Sequence, residues 1–172
     1  MTGASPGAAP AQRLLDPSSL GDHLDRLYRA AWGLCGSRED AEDLVQETIE
    51  KVLRKPRMVR GHDDLGYLMR ALRNTFHSRH RTSLRRPQTA DLPEGVELPD
   101  HRAGTRPDRA YEAREVFEAI AALPPAFRET LVAVDVAGLS YAETAVALGT
   151  REGTVMSRLY RARQGVTRSL AA

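Results

Sequence analysis

Apolar residues recur at helical spacing along most of this chain, and one proline-rich stretch interrupts the pattern. Over 20–34, 41–53 and 65–76 they fall three or four residues apart, which places them on one face of a helix each time. The same spacing returns after Asp108 and continues to Val166. No segment alternates between apolar and polar residues as a half-buried strand does. The pattern therefore predicts an all-α fold.

The interruption divides the chain into two small helical domains. Residues 82–107 contain four prolines and no periodic apolar face, so we expect a flexible linker there. This linker separates a first domain over 18–81 from a second domain over 108–172. Residues 1–17 are rich in Ala, Gly, Pro and Ser, and we expect them to form a disordered tail.

Residues that favour helix ends mark the boundaries between the predicted helices. Gly36 can end the first helix in a left-handed conformation, and Ser37 can cap the second. Ser140 and Glu143 have the spacing of a capping box, and Thr150 is positioned to cap the last helix. The second domain therefore contains a helix-turn-helix: a short helix, a glycine-containing turn and a longer helix.

Charge is distributed unevenly, although the net charge of the 172-residue chain is only +2. The polar side of the second helix is acidic, which suits a protein partner with basic side chains better than DNA. Residues 54–86 are mostly basic, and the last helix also carries arginines on its outward side, so both can bind phosphate. For each surface the alternative is a solvated helix face that binds nothing.

Several function classes are excluded by what the sequence lacks. Cys35 is the single cysteine, so neither an intramolecular disulfide nor a cysteine-based zinc site can form. Its apolar surroundings favour a small buried side chain over a redox sensor. None of the five histidines pairs at i, i+4 around a carboxylate, so we predict no metal, no cofactor and no hydrolase activity. No apolar run reaches about 18 residues, so we expect a cytoplasmic protein without a membrane span.

Five short motifs follow one another along the chain. They are DAEDLVQET at 40–48, YLMRALRN at 67–74, LPPAFR at 123–128, GLSYAE at 138–143 and GTVMSRLYRAR at 153–163. In this order they resemble motifs of the extracytoplasmic-function (ECF) sigma factors of bacterial RNA polymerase. Four positions depart from the family pattern, which leaves the promoter sequence open. Tyr67 replaces a usual Trp, Met156 a Lys or Arg and Val134 an Arg, and Arg151 occupies the turn position near a common Pro.

The resemblance implies a non-enzymatic sigma factor that binds the β and β′ subunits of core RNA polymerase and helps to open promoter DNA. Contacts with the core are then expected at Asp40, Asp43, Leu44, Gln46 and Glu47. Contacts with the melted −10 strand are expected at Lys55, Arg57, Arg60, Tyr67, Arg70, Arg73, Asn74, Arg79 and Arg81. The family also captures a flipped −10 base in the loop that corresponds to 55–63. Contacts with the −35 duplex are expected at Arg151, Thr154, Met156, Ser157, Arg158, Tyr160, Arg161 and Arg163.

Two of these arginines are expected to act differently on −35 DNA. Ser157, Tyr160 and Arg161 are spaced at i, i+3 and i+4, so they share one helical face. From this face Arg161 can reach a guanine edge, whereas Arg163 lies to the side and suits a phosphate contact.

Several alternatives remain open at the level of the sequence. A stand-alone helix-turn-helix regulator would lack the core-binding helix, and an anti-sigma antagonist is disfavoured by the basic second half. The sequence does not decide whether an anti-sigma factor binds this chain. Leu170 and the two alanines after it resemble the tail recognised by Clp-type proteases, although a frayed helix end is the favoured interpretation.

Overall fold

The computed structural model describes residues 12–55, 58–60, 63–85 and 107–171. Within these ranges the chain forms seven α-helices: α1 (Leu20–Cys35), α2 (Arg38–Arg54), α3 (Asp64–Arg85), α4 (Pro107–Ala121), α5 (Pro125–Leu131), α6 (Tyr141–Leu148) and α7 (Glu152–Leu170). A π-helical turn over Val132–Val136 extends α5, and a short 3-10 turn over Pro17–Ser19 precedes α1. The helical fold class predicted from the sequence is confirmed.

Three of the residues predicted to mark helix ends lie at the ends of helices in the structure. Gly36 ends α1 at φ 80°, and the Ser37 side chain accepts a hydrogen bond from the Asp40 amide at 3.2 Å. Ser140 and Glu143 form both hydrogen bonds of a capping box at the start of α6. These caps satisfy backbone groups that would otherwise lack partners, and this fixes where α1 ends and where α2 and α6 begin.

Three boundaries differ from the sequence prediction. The cap of α7 is Arg151, in an extended conformation and without a side-chain hydrogen bond, so the prediction of Thr150 as the cap was wrong. α3 continues to Arg85, past the predicted start of the linker at 82, and α4 begins at Pro107. Residues 86–106 of the predicted linker lie outside the described residues.

Two short strands correct the prediction that the chain has none. β1 (Gln12–Leu14) pairs antiparallel with β2 (Met58–Arg60), and Arg13 lies opposite Val59. Part of the segment predicted as a disordered tail is therefore ordered from Gln12 onward. Each strand has three residues, too few to produce a readable alternation of apolar and polar side chains.

The helices form two lobes, the first from α1–α3 with the strands and the second from α4–α7. α2 packs against α1 and α3, with Leu27, Leu44 and Leu72 fully buried. In the second lobe α7 packs against α4, α5 and α6, and its Val155 and Leu159 are buried. No helix within the described ranges has the length and apolar character needed to cross a membrane.

The two lobes pack against each other and share one apolar core. α1 contacts α4 and the π-helical turn, and α3 contacts α6. The Trp32 ring stacks on Phe117 of the second lobe, with ring centroids 4.1 Å apart and planes inclined by 17°. Gly33 lies beside them so closely that an added Cβ would lie 2.8 Å from Val132 Cγ2. A residue without a side chain is therefore required where α1 meets the second lobe.

Candidate polymerase and promoter interfaces

α2 presents an acidic, exposed face because most of its apolar residues point inward, although Leu53 near its end is 46% exposed. Asp40, Asp43 and Gln46 are exposed, and Glu47 is half-buried. Leu44 is fully buried among the apolar side chains of the first lobe. The prediction that Leu44 contacts the polymerase is therefore corrected, since its side chain supports the helix from inside.

One arginine of α3 lies against this acidic face. Arg79 has its guanidinium nitrogens 3.9 Å from Asp43 Oδ2 and 3.8 Å from Glu47 Oε2, and its Nη1 donates to the Asp40 carbonyl at 3.4 Å. Lys51 pairs with the other Glu47 oxygen at 2.6 Å. The structure thus places Arg79, a predicted −10 residue, at the border between the two predicted interfaces.

The other residues predicted to bind the −10 strand fall into distinct environments. Lys55, Asn74 and Arg81 are exposed, whereas Tyr67 and Arg70 are half-buried. Arg57 and the side chain of Arg60 lie outside the described residues. The exposed members can meet a nucleic acid without any rearrangement of the chain.

Arg73, also predicted to bind the −10 strand, is turned toward the second lobe. Its Nε donates to Glu129 Oε2 at 2.5 Å, and His77 Nε2 lies 2.8 Å from the other oxygen of the same carboxylate. The side chain of Glu129 is only 8% exposed, so this carboxylate is largely removed from water. Phe76 and Arg128 extend the contact, with the guanidinium 5.4 Å from the ring centroid. The sequence analysis missed Glu129 and His77.

A second acidic group at the junction of the lobes is Asp63. Burial raises the pKa of its carboxyl above the usual range, and the nearby charge of Glu143 on α6 adds to the rise. Arg70, whose Nη2 lies 4.0 Å from Asp63, and the amide of Gly66 act in the opposite direction. Asp63 thus caps α3 close to a like charge on the other lobe.

α7 separates a buried side from an exposed side as the sequence predicted. Val155, Leu159 and Ala162 are at most 2% exposed. The opposite side carries the predicted −35 residues: Arg151, Met156, Ser157, Tyr160 and Arg161 are exposed, and Thr154 and Arg158 are half-buried. This exposed side combines a cation, hydroxyl groups and a flexible apolar side chain, which are the groups that read base edges in a major groove.

Arg163 has a partner within the protein. Its Nε and Nη2 donate to the two carboxylate oxygens of Asp135 at 2.9 and 2.7 Å, and this hydrogen-bonded pair holds the pKa of the guanidinium above its ordinary value. The contact ties α7 to the π-helical turn. A phosphate contact by Arg163, as predicted from the sequence, has to share the side chain with Asp135.

Cys35 lies at the end of α1 and lines a cleft of about 470 Å³ together with His77 and Arg128. Burial raises the pKa of the thiol to about 11, and the charge of Asp40 contributes to the rise. Among the described residues, no three His, Cys, Asp or Glu side chains come close enough to hold a metal ion. The raised pKa opposes formation of the thiolate, the reactive form in redox chemistry.

Alkylation of Cys35 by iodoacetamide is therefore expected to be slow at pH 8. A pKa of about 11 instead of 9.0 lowers the thiolate fraction at this pH by roughly 100-fold. The rate should rise with pH until about 11, the pKa of this thiol. Protein unfolded in guanidinium chloride is the control and should react at the rate of an ordinary thiol. A rate that levels off near pH 9 would contradict the expectation.

The chain matches family models of the sigma-70 proteins over most of its length. Sigma-70 region 2 matches residues 20–86, and Sigma-70 region 4 matches residues 113–164. The first match covers the first lobe from α1 to just beyond α3. The second covers the second lobe from within α4 to within α7, including the helix-turn-helix.

Several ECF sigma factors are similar to this chain along its length. SigE of Mycolicibacterium smegmatis is 36% identical over 155 residues, which cover 87% of this chain and 59% of that protein. EcfG of Rhodopseudomonas palustris is 34% identical over 77% of this chain and 72% of its own length. SigM of Mycobacterium tuberculosis is 34% identical over 86% of this chain and 73% of its own length.

Solved structures share the arrangement of the helices. The sigma factor RpoE of Bartonella quintana, in complex with the anti-sigma factor NepR, matches with a TM-score of 0.70 at 28% identity and covers 90% of this chain and 96% of its own. CnrH, in complex with the cytosolic domain of CnrY, has the same fold with a TM-score of 0.62 at 20% identity, over 90% of this chain and 86% of its own. With both sigma-70 regions matched in order and relatives aligned across both lobes, the chain belongs to the ECF family of RNA polymerase sigma factors.

Proposed function

We propose that this protein is an alternative sigma factor that gives RNA polymerase its promoter specificity and helps to open the DNA, without catalysis of its own. One observation carries the proposal: α7 exposes Met156, Ser157, Tyr160 and Arg161 on the side opposite its buried residues, within a helix-turn-helix. This helix can enter a major groove while α6 and the rest of the second lobe support it from behind.

The charges of the first lobe support different partners for its helices, a polymerase subunit for α2 and DNA for α3. The exposed carboxylates of α2 repel DNA, and they suit a basic surface of the β′ subunit of the core. The exposed cations of α3 and of the segment before it, Lys55 and Arg81, suit the backbone of the melted −10 strand. The second lobe takes the −35 duplex and the β subunit, and the protein works in the cytoplasm.

Because the lobes pack together, we propose that binding of core polymerase precedes the contact of Arg73 with DNA. Arg73 cannot contact DNA while it pairs with Glu129, whereas Asp40 and Asp43 on α2 are already exposed. The core therefore docks on α2 first, and separation of the lobes then frees Arg73 for the promoter. Because the core would bind the separated form better, it shifts the population toward that form.

Two further partners belong to the proposal as regulators. RpoE and CnrH were each solved as complexes, RpoE with an anti-sigma factor, so we propose an anti-sigma factor as a partner that acts on the packed lobes. The C-terminal residues Leu170 and Ala171 are at the exposed end of α7, where a Clp-type protease would engage them. Exchange of the last two alanines for aspartates should lengthen the half-life in cells if that protease acts here.

Run-off transcription with purified core polymerase on genomic DNA tests the proposed function directly. Start sites mapped from this reaction should lie downstream of one shared pair of −35 and −10 elements, and core polymerase alone should not use them. Binding to DNA without any stimulation of the core would indicate a stand-alone helix-turn-helix regulator instead.

Arg161→Ala is expected to remove the preference at one −35 base pair. A bidentate contact from arginine to guanine discriminates by about 1–3 kcal/mol, which is lost with the guanidinium. Arg163→Ala is the matched control, because Arg163 is held by Asp135 and should affect all −35 sequences alike. Transcription from a randomised −35 library measures both. A uniform loss of output with Arg161→Ala would place the reading face elsewhere on α7.

A further inference from the structure

The N-terminal segment is tied to the first residue of α3 by a partly buried ion pair, in which the side chain of Arg13 is 35% exposed. Arg13 Nη2 lies 2.7 Å from Asp64 Oδ1 and 2.7 Å from Oδ2, and Asp64 is only 6% exposed. The Ser19 hydroxyl donates to the Asp16 carbonyl at 2.8 Å, and its oxygen lies 3.4 Å from Asp64 Oδ2. Two residues of the N-terminal segment therefore converge on one carboxylate, 51 and 45 positions further along the chain. A buried carboxylate needs such partners, because it loses its hydration.

The same segment also holds the middle of the connection between α2 and α3. β1 pairs with β2 over Met58–Arg60, and Val59 at the centre of β2 is only 3% exposed. Leu15, directly after β1, is 6% exposed and belongs to the same apolar core as Val59. Residues 58–60 are thus fixed both by backbone pairing with β1 and by burial of the Val59 side chain.

We propose that Arg13 and β1 are positioning elements for recognition of the −10 element. The proposal rests on the proposed function, and on the expectation from the family resemblance that the connection over 55–63 receives a flipped −10 base. β1 holds residues 58–60 of this connection before DNA arrives, so binding does not have to order these three residues. Arg13 acts through Asp64 and the strand pairing, and it does not touch the base.

The expected loss of −10 DNA affinity on release of β2 follows from the free-energy cost of ordering a backbone. Fixing even one freed residue weakens binding by about tenfold, and three residues of β2 are held here. A released connection can also accept a wrong base by adapting its shape, so the preference for the correct base should decrease together with the affinity.

A pair of matched variants separates positioning from a direct DNA contact. Arg13→Ala and Asp64→Asn each break the ion pair, but only the first removes a positive charge that DNA could attract. If Arg13 acts by position, both variants weaken binding of the −10 strand by about tenfold and also reduce the base preference, and the double variant is no worse than either. Arg13→Lys should restore part of the preference. Arg26→Ala, which removes an exposed arginine from α1, is the control for net charge.

The measurement uses holoenzyme and a fork-junction promoter with 2-aminopurine at the flipped −10 position, together with transcription from a randomised −10 library. The −35 preference and the affinity for core should stay unchanged in both variants. An unaltered −10 preference in both would overturn the proposal, as would tighter DNA binding by Asp64→Asn. Thermal unfolding of each variant by circular dichroism confirms that it is folded. A wild-type holoenzyme without any −10 preference would instead reject the proposed function itself.

Discussion

Arg73→Ala is expected to destabilise the folded protein by about 3 kcal/mol, because it leaves the buried carboxylate of Glu129 without its closest cation. The side chain of Glu129 is 8% exposed, whereas that of Arg73 is 31% exposed. Loss of the arginine is therefore more costly than loss of the glutamate charge. The partial exposure of Arg73 keeps the loss at the lower end for a broken buried pair.

Glu129→Gln tests whether loss of the carboxylate charge costs less stability than loss of the arginine in the same pair. The amide keeps the volume and one acceptor, and the freed guanidinium can turn toward water, so we expect a loss of about 1 kcal/mol. Arg29→Ala is the control, since it breaks an exposed pair with Asp25 within α1 and should cost less than about 0.5 kcal/mol. Unfolding in guanidinium chloride gives all three values.

The same variants report on the separation of the lobes. Fluorescent labels on α2 and α7 in a Cys35→Ser background should show a larger fraction of separated lobes in Arg73→Ala and Glu129→Gln than in Arg29→Ala. Equal losses of stability in all three, with no change in the distance between labels, would mean that the Arg73–Glu129 pair does not hold the lobes together. Packing of Trp32 on Phe117 would then be the dominant contact.

The features that the sequence predicted depend on interactions between near neighbours. The capping box of Ser140 and Glu143 and the left-handed end at Gly36 involve residues at most four positions apart. A short motif contains everything needed for such contacts, so its pattern suffices to predict them. The buried side of α7 is predictable for the same reason, because helical periodicity alone places Val155 and Leu159 together.

The features that the sequence did not predict join distant residues. Arg73 and Glu129 are 56 positions apart, Arg13 and Asp64 are 51 apart, and Asp135 and Arg163 are 28 apart. No periodicity relates these positions, and a surface arginine looks the same in the sequence whether it meets DNA or a carboxylate of its own chain. The basic character of α3 therefore predicted nucleic-acid contacts for Arg73 and could not indicate the pairing across the lobes.

Leu44 illustrates a conflict between two kinds of prediction. Helical spacing places it on the apolar side of α2, whereas the resemblance to the family motif places it among the residues that contact polymerase. The side chain is fully buried, so periodicity was the better guide at this position. A motif records which residues a surface requires, and some of those residues act by holding the helix in place from within the core.

Asp43→Arg combined with Gln46→Arg is expected to weaken binding to core polymerase by at least 100-fold. The side chain of Asp43 is 65% exposed and Gln46 is exposed, so the changes alter the surface of α2 without entering the core. Two arginines facing a basic partner surface replace attraction by repulsion, and juxtaposed like charges cost several kcal/mol. Arg79 lies 3.9 Å from Asp43 Oδ2 and adds a third positive charge to the same face.

Titration of the labelled variants with core polymerase measures this loss, and circular dichroism verifies the helical content of each. Glu115→Arg is the charge-reversal control, because Glu115 is an exposed acid on α4 and its exchange adds two positive charges, as Asp43→Arg does, against three in the double variant. The control should bind the core with nearly the wild-type affinity. The difference between variant and control should shrink as salt increases, since salt screens interactions between exposed charges beyond about 10 Å at 0.1 M and beyond shorter distances at higher salt. Equal affinities of the α2 variant and the wild-type protein would move the polymerase-binding surface away from α2, and the charge of that helix would then serve only to repel DNA.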